Sequence, residues 1–252
     1  MKPSGNIARR NLRELGRELG SGLLELAWPT RCAICDMPGS LLCEECDAKL
    51  PRIDHAKACP RCGAPYGRIV CTECWNRNGF IEHGFAHATC AASYGKETAR
   101  LVKCYKDHGE LGLARVLADL VWEALMDDPD AFAGGMPEVL TYVPATPAAL
   151  LRRGYDHMQI VADELSCLSG LGILGAFEKL DAEDQRSLGR LERMRNMAGT
   201  FELACGSEDV EGKRILLVDD VFTTGATLDE ASRVLYGAGA GIVTVATVCR
   251  VW

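Results

Sequence analysis

Residues 215–227, which read ILLVDDVFTTGAT, constrain the fold of this 252-residue chain more than any other segment. An apolar run leads into the acids Asp219 and Asp220, and a turn rich in threonine and glycine follows before a helical pattern begins. This order predicts a buried strand, then a loop, then the N-terminus of a helix. A chain that alternates such strands with helices forms a mostly parallel sheet with helices on both faces.

The turn that follows the acids is suited to binding a phosphate group. The backbone N–H groups of such a turn and the dipole of the next helix attract anions, and hydroxyl side chains add donors. Gly225 also allows the backbone to approach a ligand closely. The residues expected to contact the phosphate are Thr223, Thr224, Gly225, Ala226 and Thr227.

The acid pair is suited to a different part of the same ligand. Asp219 and Asp220 would repel a phosphate, but carboxylates accept hydrogen bonds from vicinal hydroxyls and can help to hold magnesium. A phosphate next to a diol indicates a ribose 5-phosphate.

Three other interpretations of this segment compete with a ribose phosphate site. A Walker A loop needs a lysine, which this turn lacks. A receiver domain carries its acid pair near its start, whereas this pair lies close to residue 252. The third interpretation is a plain connection between a strand and a helix, in which the acids are incidental and bind no ligand.

The alternation of strands and helices extends through the second part of the chain. Apolar patterns predict strands at residues 87–94, 139–143, 214–218 and 242–248. They predict helices at residues 113–125, 160–168 and 226–238, and a loop at 127–136.

Eight of the 13 cysteines form four Cys-x-x-Cys pairs in the first part of the chain. The paired residues are Cys32 and Cys35, Cys43 and Cys46, Cys59 and Cys62, and Cys71 and Cys74. Each pair presents two sulfurs to one ion, and a short spacer returns the chain with two more, so each half of the module can close a tetrahedral zinc site. We therefore expect two structural zinc ions, one in each half, in preference to an interleaved pairing.

Two alternatives for these cysteines remain open, a set of reduced buried thiols and a redox switch. The histidines nearby are not needed as ligands, because eight sulfurs already satisfy two ions. The other five cysteines are expected to fill the apolar core. They are Cys90, Cys104, Cys167, Cys205 and Cys249.

The pattern predicts three regions: an N-terminal amphipathic helix at 1–30, the zinc module at 31–80 and an α/β domain at 81–252. The N-terminal helix is indicated by apolar residues three and four positions apart, from Ala8 to Leu26. No secretory signal or transmembrane run is evident, which predicts a cytoplasmic location. The net charge of −7 does not favour a broad nucleic-acid-binding face.

Several stretches together give this chain a family resemblance. It resembles type I phosphoribosyltransferases in its acid pair and phosphate turn, and from Trp28 onward it resembles the ComF family of competence-related proteins. Besides the doubled cysteine module, the stretches that carry the resemblance are LVKCYKDHG at 101–109, VPATP at 143–147, LRRGYDH at 151–157 and QRSLGRLERMRNMAGTF at 185–201. The resemblance implies a doubly wound, mostly parallel α/β sheet of the type I phosphoribosyltransferase kind, with an N-terminal four-cysteine zinc module.

The resemblance also implies roles for individual residues in binding 5-phosphoribosyl-1-pyrophosphate (PRPP) together with magnesium. Asp219 and Asp220 would bind the ribose hydroxyls and act in catalysis, and Thr223 to Thr227 would bind the 5-phosphate. The turn formed by Val143, Pro144, Ala145 and Thr146 would lie near the pyrophosphate. The basic residues that would face the same cleft, unless they form a solvated helix face, are Arg152, Arg153, Arg186, Arg190, Arg193 and Arg195. One departure stands out: where the family usually has Asn-Gln, this chain has Asp156 and His157.

Three classes of function are consistent with these features. The protein could transfer phosphoribose to an acceptor and release pyrophosphate, or bind PRPP as a sensor without turnover. The ComF resemblance also implies a third class, an accessory of DNA uptake that acts with single-stranded DNA and a competence helicase. No motif in the sequence identifies an acceptor.

Overall fold

The computed structural model describes residues 29–76, 79–179, 201–204 and 206–252. Most of the predicted N-terminal helix, the basic run from Arg186 to Arg195, and Cys205 lie outside these residues. The chain divides into two compact units, one ending at Ala48 and the other spanning Lys49–Trp252. The division by packing therefore falls between the two cysteine clusters, whereas the composition changes near residue 80.

Within the described residues, the unit that ends at Ala48 contains the first cysteine cluster and one short helix. Helix α1 spans Glu44–Asp47. A single antiparallel bridge joins Arg31 to Pro38.

The larger unit contains the remaining elements. Its strands are β1 (Trp75–Asn76), β2 (Gly79–Phe80), β3 (His87–Ser93), β4 (Val139–Tyr142), β5 (Gly172–Ile173), β6 (Phe177–Lys179), β7 (Phe201–Leu203), β8 (Arg214–Phe222) and β9 (Ile242–Arg250). Its helices are α2 (Lys96–Lys106), α3 (Leu113–Asp127), α4 (Pro147–Arg153), α5 (His157–Ser169) and α6 (Ala226–Gly237), and a 3-10 turn spans Ser207–Asp209. Among the described residues, no helix is both long and apolar enough to cross a membrane.

Five strands form the central sheet in the order β3-β9-β8-β4-β5. Every neighbouring pair in this sheet is parallel. Two small antiparallel pairs, β1 with β2 and β6 with β7, lie outside it. The predicted mostly parallel α/β architecture is confirmed.

The continuous apolar sequence of β8 follows from burial on both faces of the sheet. Ile215, Leu216, Leu217 and Val218 are all at most 1% exposed. Ile215 and Leu217 belong to a core that also contains apolar residues of α6 and cysteines of the second cluster, including Cys62. The second cluster is therefore part of the core that supports the sheet.

Strand β8 extends further than its apolar run predicts. Pairing with β4 ends where Tyr142 meets Val218, but pairing with β9 continues from Asp219, opposite Thr247, to Phe222, opposite Arg250. The ladder with β9 thus keeps both acids in an extended conformation. The loop that follows is correspondingly shorter than the sequence predicts.

Two helices were not predicted from the apolar pattern. Helix α2 is mostly polar, but it buries Leu101 and Tyr105. Helix α4 buries none of its residues. Its start is nevertheless marked in the sequence, because Thr146 caps the helix through its hydroxyl and Pro147 occupies the first turn.

Candidate functional site

The two predicted ligand-binding turns lie at the same edge of the sheet. One follows β4 and the other follows β8, which are parallel neighbours. From β4 the chain passes to β5 on one side, and from β8 it passes to β9 on the other. In open α/β sheets, ligands bind at the carboxyl ends of the strands where the winding reverses in this way.

The turn after β8 is short and closely packed. Gly225 has a φ of 84°, which favours glycine, and it is the N-cap of α6. A Cβ atom at Gly225 would lie 2.8 Å from the ring of Phe222 and 3.2 Å from that of His83. The hydroxyl of Thr224 accepts a hydrogen bond from the backbone N–H of Ala226 at 3.3 Å. The turn therefore has a defined shape and opens directly onto a helix N-terminus, as an anion site requires.

The turn after β4 is held by hydrogen bonds at several points. The backbone N–H of Val143 donates to the carbonyl of Val218, and that of Ala145 donates to Oδ2 of Asp156 at 2.7 Å. The hydroxyl of Thr146 is used as the cap of α4, where it accepts from the N–H of Ala149 at 3.1 Å. The turn is thus fixed to β8 at one end and to the start of α5 at the other.

Asp156 has a structural part in this arrangement. Its Oδ1 accepts hydrogen bonds from the backbone N–H groups of Met158 and Gln159, which caps α5. Its Oδ2 holds Ala145. The carboxylate of Asp156 therefore joins the N-terminus of α5 to the turn after β4. Asp156 is one of the two positions at which the sequence departs from the ComF resemblance.

The two acids on β8 differ in their surroundings. Asp220 is 7% exposed, and its Oδ2 contacts Nζ of Lys106 and lies 3.1 Å from Nε2 of His157. Asp219 is half-buried, and its Oδ1 accepts from the backbone N–H of Asp220 at 2.8 Å. Burial alone would raise the pKa of Asp220, but the hydrogen bond from His157 and the charge of Lys106 outweigh it and hold the pKa far below its usual value. Asp220 is therefore a carboxylate at neutral pH.

His157 links the acid pair to a basic residue of α4. Its Nδ1 lies 3.3 Å from Nη1 of Arg153, and its Nε2 lies 3.1 Å from Asp220. Because the carboxylate of Asp220 can only accept, Nε2 is the donor in the contact between His157 and Asp220. Arg153 is mostly covered and also lies 3.8 Å from Asp107. The neighbouring Arg152 is exposed.

Lys106 and His157 lie at the candidate site, but no role was predicted for either of them. Lys106 lies within the stretch at 101–109 that carries the family resemblance, and His157 was noted only as a departure. Burial makes the pKa of Lys106 lower, but the charge and hydrogen bond of Asp220 more than compensate and raise it above its ordinary value. Both residues therefore contact Asp220 as hydrogen-bond donors, and Lys106 also supplies a positive charge.

The eight paired cysteines form two separate clusters, one in each half of the module. Cys32, Cys35, Cys43 and Cys46 form the first, and Cys59, Cys62, Cys71 and Cys74 form the second, with all sulfurs of a cluster within 4.8 Å of one another. The expected sequential grouping is confirmed.

The spacing of the sulfurs fits tetrahedral coordination. Four sulfurs at the usual zinc–sulfur distance of about 2.3 Å lie about 3.8 Å apart. The Sγ atoms of Cys35 and Cys43 are 3.7 Å apart, those of Cys59 and Cys74 are 3.8 Å apart, and those of Cys62 and Cys71 are 3.6 Å apart. Both clusters can therefore hold a metal ion with four thiolate ligands, for which zinc is the expected metal.

The first turn of each cluster has the same backbone geometry. Asp36 and Gly63, which follow the second cysteine of each turn, have φ values of 65° and 64°. Each also donates its N–H to the carbonyl of the first cysteine of its turn, at 2.8 and 2.9 Å. The doubled sequence pattern is thus a doubled structural unit.

The five unpaired cysteines do not all fill the core as expected. Cys90 and Cys249 are fully buried, but Cys104 is half-buried and Cys167 is exposed. Cys104 and Cys167 lie on the outer parts of helices α2 and α5, where a single small apolar residue does not need to be covered.

Comparison with known proteins agrees with this geometry. Residues 148–251 match the family described as the phosphoribosyl transferase domain. The chain is 30% identical over 154 residues to an adenine phosphoribosyltransferase of Rhodococcus opacus, which covers 60% of this chain and 82% of that protein.

Two further relatives are named for competence and for DNA utilization. Competence protein F of Haemophilus influenzae is 30% identical over 141 residues, and the alignment spans 55% of this chain and only 62% of that protein. DNA utilization protein YhgH of Salmonella typhi is 26% identical over 233 residues, which cover 89% of this chain and 99% of that protein.

The parallel sheet, the phosphate-type turn and the preceding acid pair define a protein with a phosphoribosyltransferase-type domain. The chain therefore belongs to the phosphoribosyltransferase family. Its two four-cysteine clusters and its similarity to competence and DNA utilization proteins support a phosphoribosyltransferase-like protein of the ComF type.

Proposed function

We propose that this protein binds PRPP at the carboxyl ends of β4 and β8. The observation that carries the proposal is the placement of an acid pair and a glycine-containing turn at the end of β8, next to a second fixed turn at the end of β4. The 5-phosphate would bind the turn from Thr223 to Thr227, and the ribose hydroxyls would bind Asp219 and Asp220. The pyrophosphate would lie along the turn from Val143 to Thr146.

The charges around the acids support a ligand with several phosphates. Lys106 and Arg153 lie close to Asp220, directly or through His157. Cationic side chains of this kind stabilise phosphate groups, and the guanidinium fork of arginine suits two oxygens at once. We infer that Arg153 helps to position the pyrophosphate end of the ligand. Exposed Arg152 would contact a part of the ligand that extends to the surface.

Magnesium fits the chemistry of the proposed ligand better than that of the protein site alone. Carboxylates are suitable magnesium ligands, but Oδ2 of Asp220 already contacts two donors. Magnesium would therefore be held mainly by the phosphates, with Asp219 as the more accessible carboxylate. When bound, it would neutralise charge on the pyrophosphate.

Such a site would support phosphoribosyl transfer. The bond from ribose C1 to the pyrophosphate oxygen would break, and pyrophosphate would leave with the electron pair. A nucleophilic acceptor would then bond to C1 and lose a proton. Carboxylates at Asp219 and Asp220 would stabilise the positive charge that develops on the ribose. The acceptor would have to enter from the open side of the sheet edge.

Two related functions use the same site. A PRPP sensor would bind the ligand without turnover. The names of the Haemophilus and Salmonella relatives favour a role in DNA uptake or use. Such a role would place the protein in the cytoplasm with single-stranded DNA and a helicase partner, and the exposed Arg152 would contribute to DNA binding.

Calorimetric titration of PRPP with magnesium tests the proposed ligand. Micromolar binding that is lost when the 5-phosphate is omitted would support it, and absence of binding at millimolar PRPP would refute it. Release of pyrophosphate in the presence of candidate bases would then distinguish a transferase from a sensor. Binding of single-stranded DNA that weakens steeply with salt and is lost on charge reversal of Arg152 would support the DNA role.

A further inference from the structure

Arg250 is a fully buried charged residue for which the proposed chemistry has no use. It lies at the end of β9 and is 1% exposed, although arginine is almost never fully buried unless its charge is paired. Its side chain points between the second cysteine cluster and the turn after β8. The partners of its guanidinium therefore show what its burial accomplishes.

The guanidinium joins these two features directly. Its Nε donates to the backbone carbonyl of Cys62, a residue of the second cluster, at 2.8 Å. Its Nη1 donates to the carbonyl of Thr223, the first residue of the turn, at 2.8 Å, and lies 3.4 Å from the carbonyl of Phe222. Its Nη2 lies 3.8 Å from Oε2 of Glu73, which stands between Cys71 and Cys74.

The contacts at both ends of this link are tight. The guanidinium carbon lies 4.4 Å from the centre of the Phe222 ring, and that ring leaves no room for a Cβ atom at Gly225. At the other end, a Cβ atom at Gly63 would lie 2.4 Å from the sulfur of Cys90 on β3. A shift of the Cys59–Cys62 turn would therefore be passed to the guanidinium rather than absorbed by empty space.

We propose that Arg250 is a positioning residue that couples metal binding at the second cysteine cluster to the shape of the phosphate turn. A bound metal fixes the sulfur of Cys62 and with it the carbonyl that Arg250 contacts. The planar guanidinium has a fixed geometry, so it holds the carbonyls of Thr223 and Phe222 in the corresponding place. The N–H groups of the turn then face the ligand in one arrangement.

Coupling of this kind is reciprocal. Loss of the metal should loosen the turn, and a ligand that orders the turn should slow release of the metal. The first effect does not depend on what the turn binds. The second rests on the proposed function, because it uses PRPP as the ligand.

Hydrogen exchange of the full chain tests the first effect. Cys71→Ser removes one ligand of the second cluster, and Cys35→Ser is the matched control for metal loss at the first. We expect Cys71→Ser to speed amide exchange at residues 223–227 by about fivefold or more, and Cys35→Ser to leave it unchanged. In an Arg250→Lys background, where the forked guanidinium is lost, Cys71→Ser should increase the rate of amide exchange at residues 223–227 only slightly. Equal effects of Cys71→Ser in both backgrounds would overturn the proposal.

Zinc release tests the second effect and does not require a cysteine variant to fold. Transfer of zinc to a chromogenic chelator is followed with and without PRPP in the wild type, in Arg250→Lys and in Glu73→Gln. PRPP should slow release of one of the two zinc ions in the wild type, and much less so in Arg250→Lys. Equal slowing in the wild type and Arg250→Lys would overturn the coupling. If calorimetry shows no PRPP binding, the proposed function fails, and exchange at residues 223–227 alone decides whether the coupling exists.

Discussion

The imidazole of His157 donates from Nε2 to Oδ2 of Asp220 across 3.1 Å, and the same oxygen contacts Lys106. The acid at the end of β8 is therefore ionised and oriented before a ligand arrives. A preorganised carboxylate loses little freedom when it accepts hydrogen bonds from a diol, which favours binding. The proposed ribose site can be tested at each of these residues.

Asp220→Asn should weaken PRPP binding. The change removes a charged acceptor, and hydrogen bonds to charged groups contribute about 1.5–3 kcal/mol, so we expect a loss of roughly 10- to 100-fold in affinity. Calorimetry with magnesium present measures the change. Asp209→Asn, at an exposed acid in the 3-10 turn, is a matched control and should bind as the wild type does. Unchanged affinity in Asp220→Asn would show that PRPP does not use this carboxylate.

The ionisation of Asp220 should also affect stability at acid pH. Its pKa is lowered in the folded protein, so its contribution is complete above the unfolded-state pKa of about 3.9 and is lost as the pH falls through the folded-state value. The difference in free energy of unfolding between the wild type and Asp220→Asn should thus be constant from pH 7 to about pH 5. Denaturant titrations across this range measure it. A difference that already declines between pH 7 and pH 5 would contradict the low pKa.

His157→Gln should retain more PRPP binding than His157→Ala. The glutamine amide can donate to Asp220 as the imidazole does. The alanine variant leaves Asp220 with fewer donors and removes the contact between Arg153 and the imidazole. We expect a loss of several-fold in affinity for alanine and less than about twofold for glutamine. Similar affinities for both variants would mean that His157 does not position the acid.

Asp156→Ala should destabilise the larger unit more than Asp156→Asn, which keeps one of the two acceptor oxygens and places an amide NH2 where the other was. Alanine removes both the cap of α5 and the acceptor for the N–H of Ala145. Loss of the cap lowers the free energy of unfolding by about 1 kcal/mol, and loss of the hydrogen bond from Ala145 lowers it further. Asparagine keeps an oxygen acceptor for the cap. Chemical unfolding measures the difference. The opposite order of stabilities would show that the carboxylate acts through its charge and not as a cap.

The two cysteine clusters should each hold one zinc ion. Native mass spectrometry of the purified protein should therefore find two zinc ions per chain, and one in Cys35→Ser or in Cys62→Ser. Because Cys62 lies in the core beneath the sheet, its loss should lower the melting temperature of the larger unit. A zinc content of two in either variant would contradict the grouping of the ligands.

The sequence predicted the parts of this site that lie close together along the chain. The apolar run before Asp219 and the glycine turn after it are local signals, and they specify a strand, a turn and a helix. The contact between Lys106 and Asp220 is not local, because 114 positions separate the two residues. No pattern of single residues shows which lysine will meet a given acid.

Arg250 illustrates a second limit. The apolar pattern predicts that strand β9 ends at residue 248. The strand instead continues to Arg250, because the guanidinium donates to four backbone carbonyls and lies close to Glu73. The extension of β8 through its acids has the same origin, because it depends on the length of β9. Both features follow from pairing partners that a linear pattern does not contain.

The unequal lengths of β4 and β8 have a consequence for the range of ligands. Since β4 ends at Tyr142 opposite Val218, the segment from Asp219 to Phe222 extends beyond β4 and pairs with β9. The length of β4 sets how much of β8 extends in this way, while β9 places the acids. An insertion or deletion near the end of β4 would therefore change the surroundings of the acids without moving them, so relatives with a different end of β4 could accommodate different acceptors at the proposed ribose site.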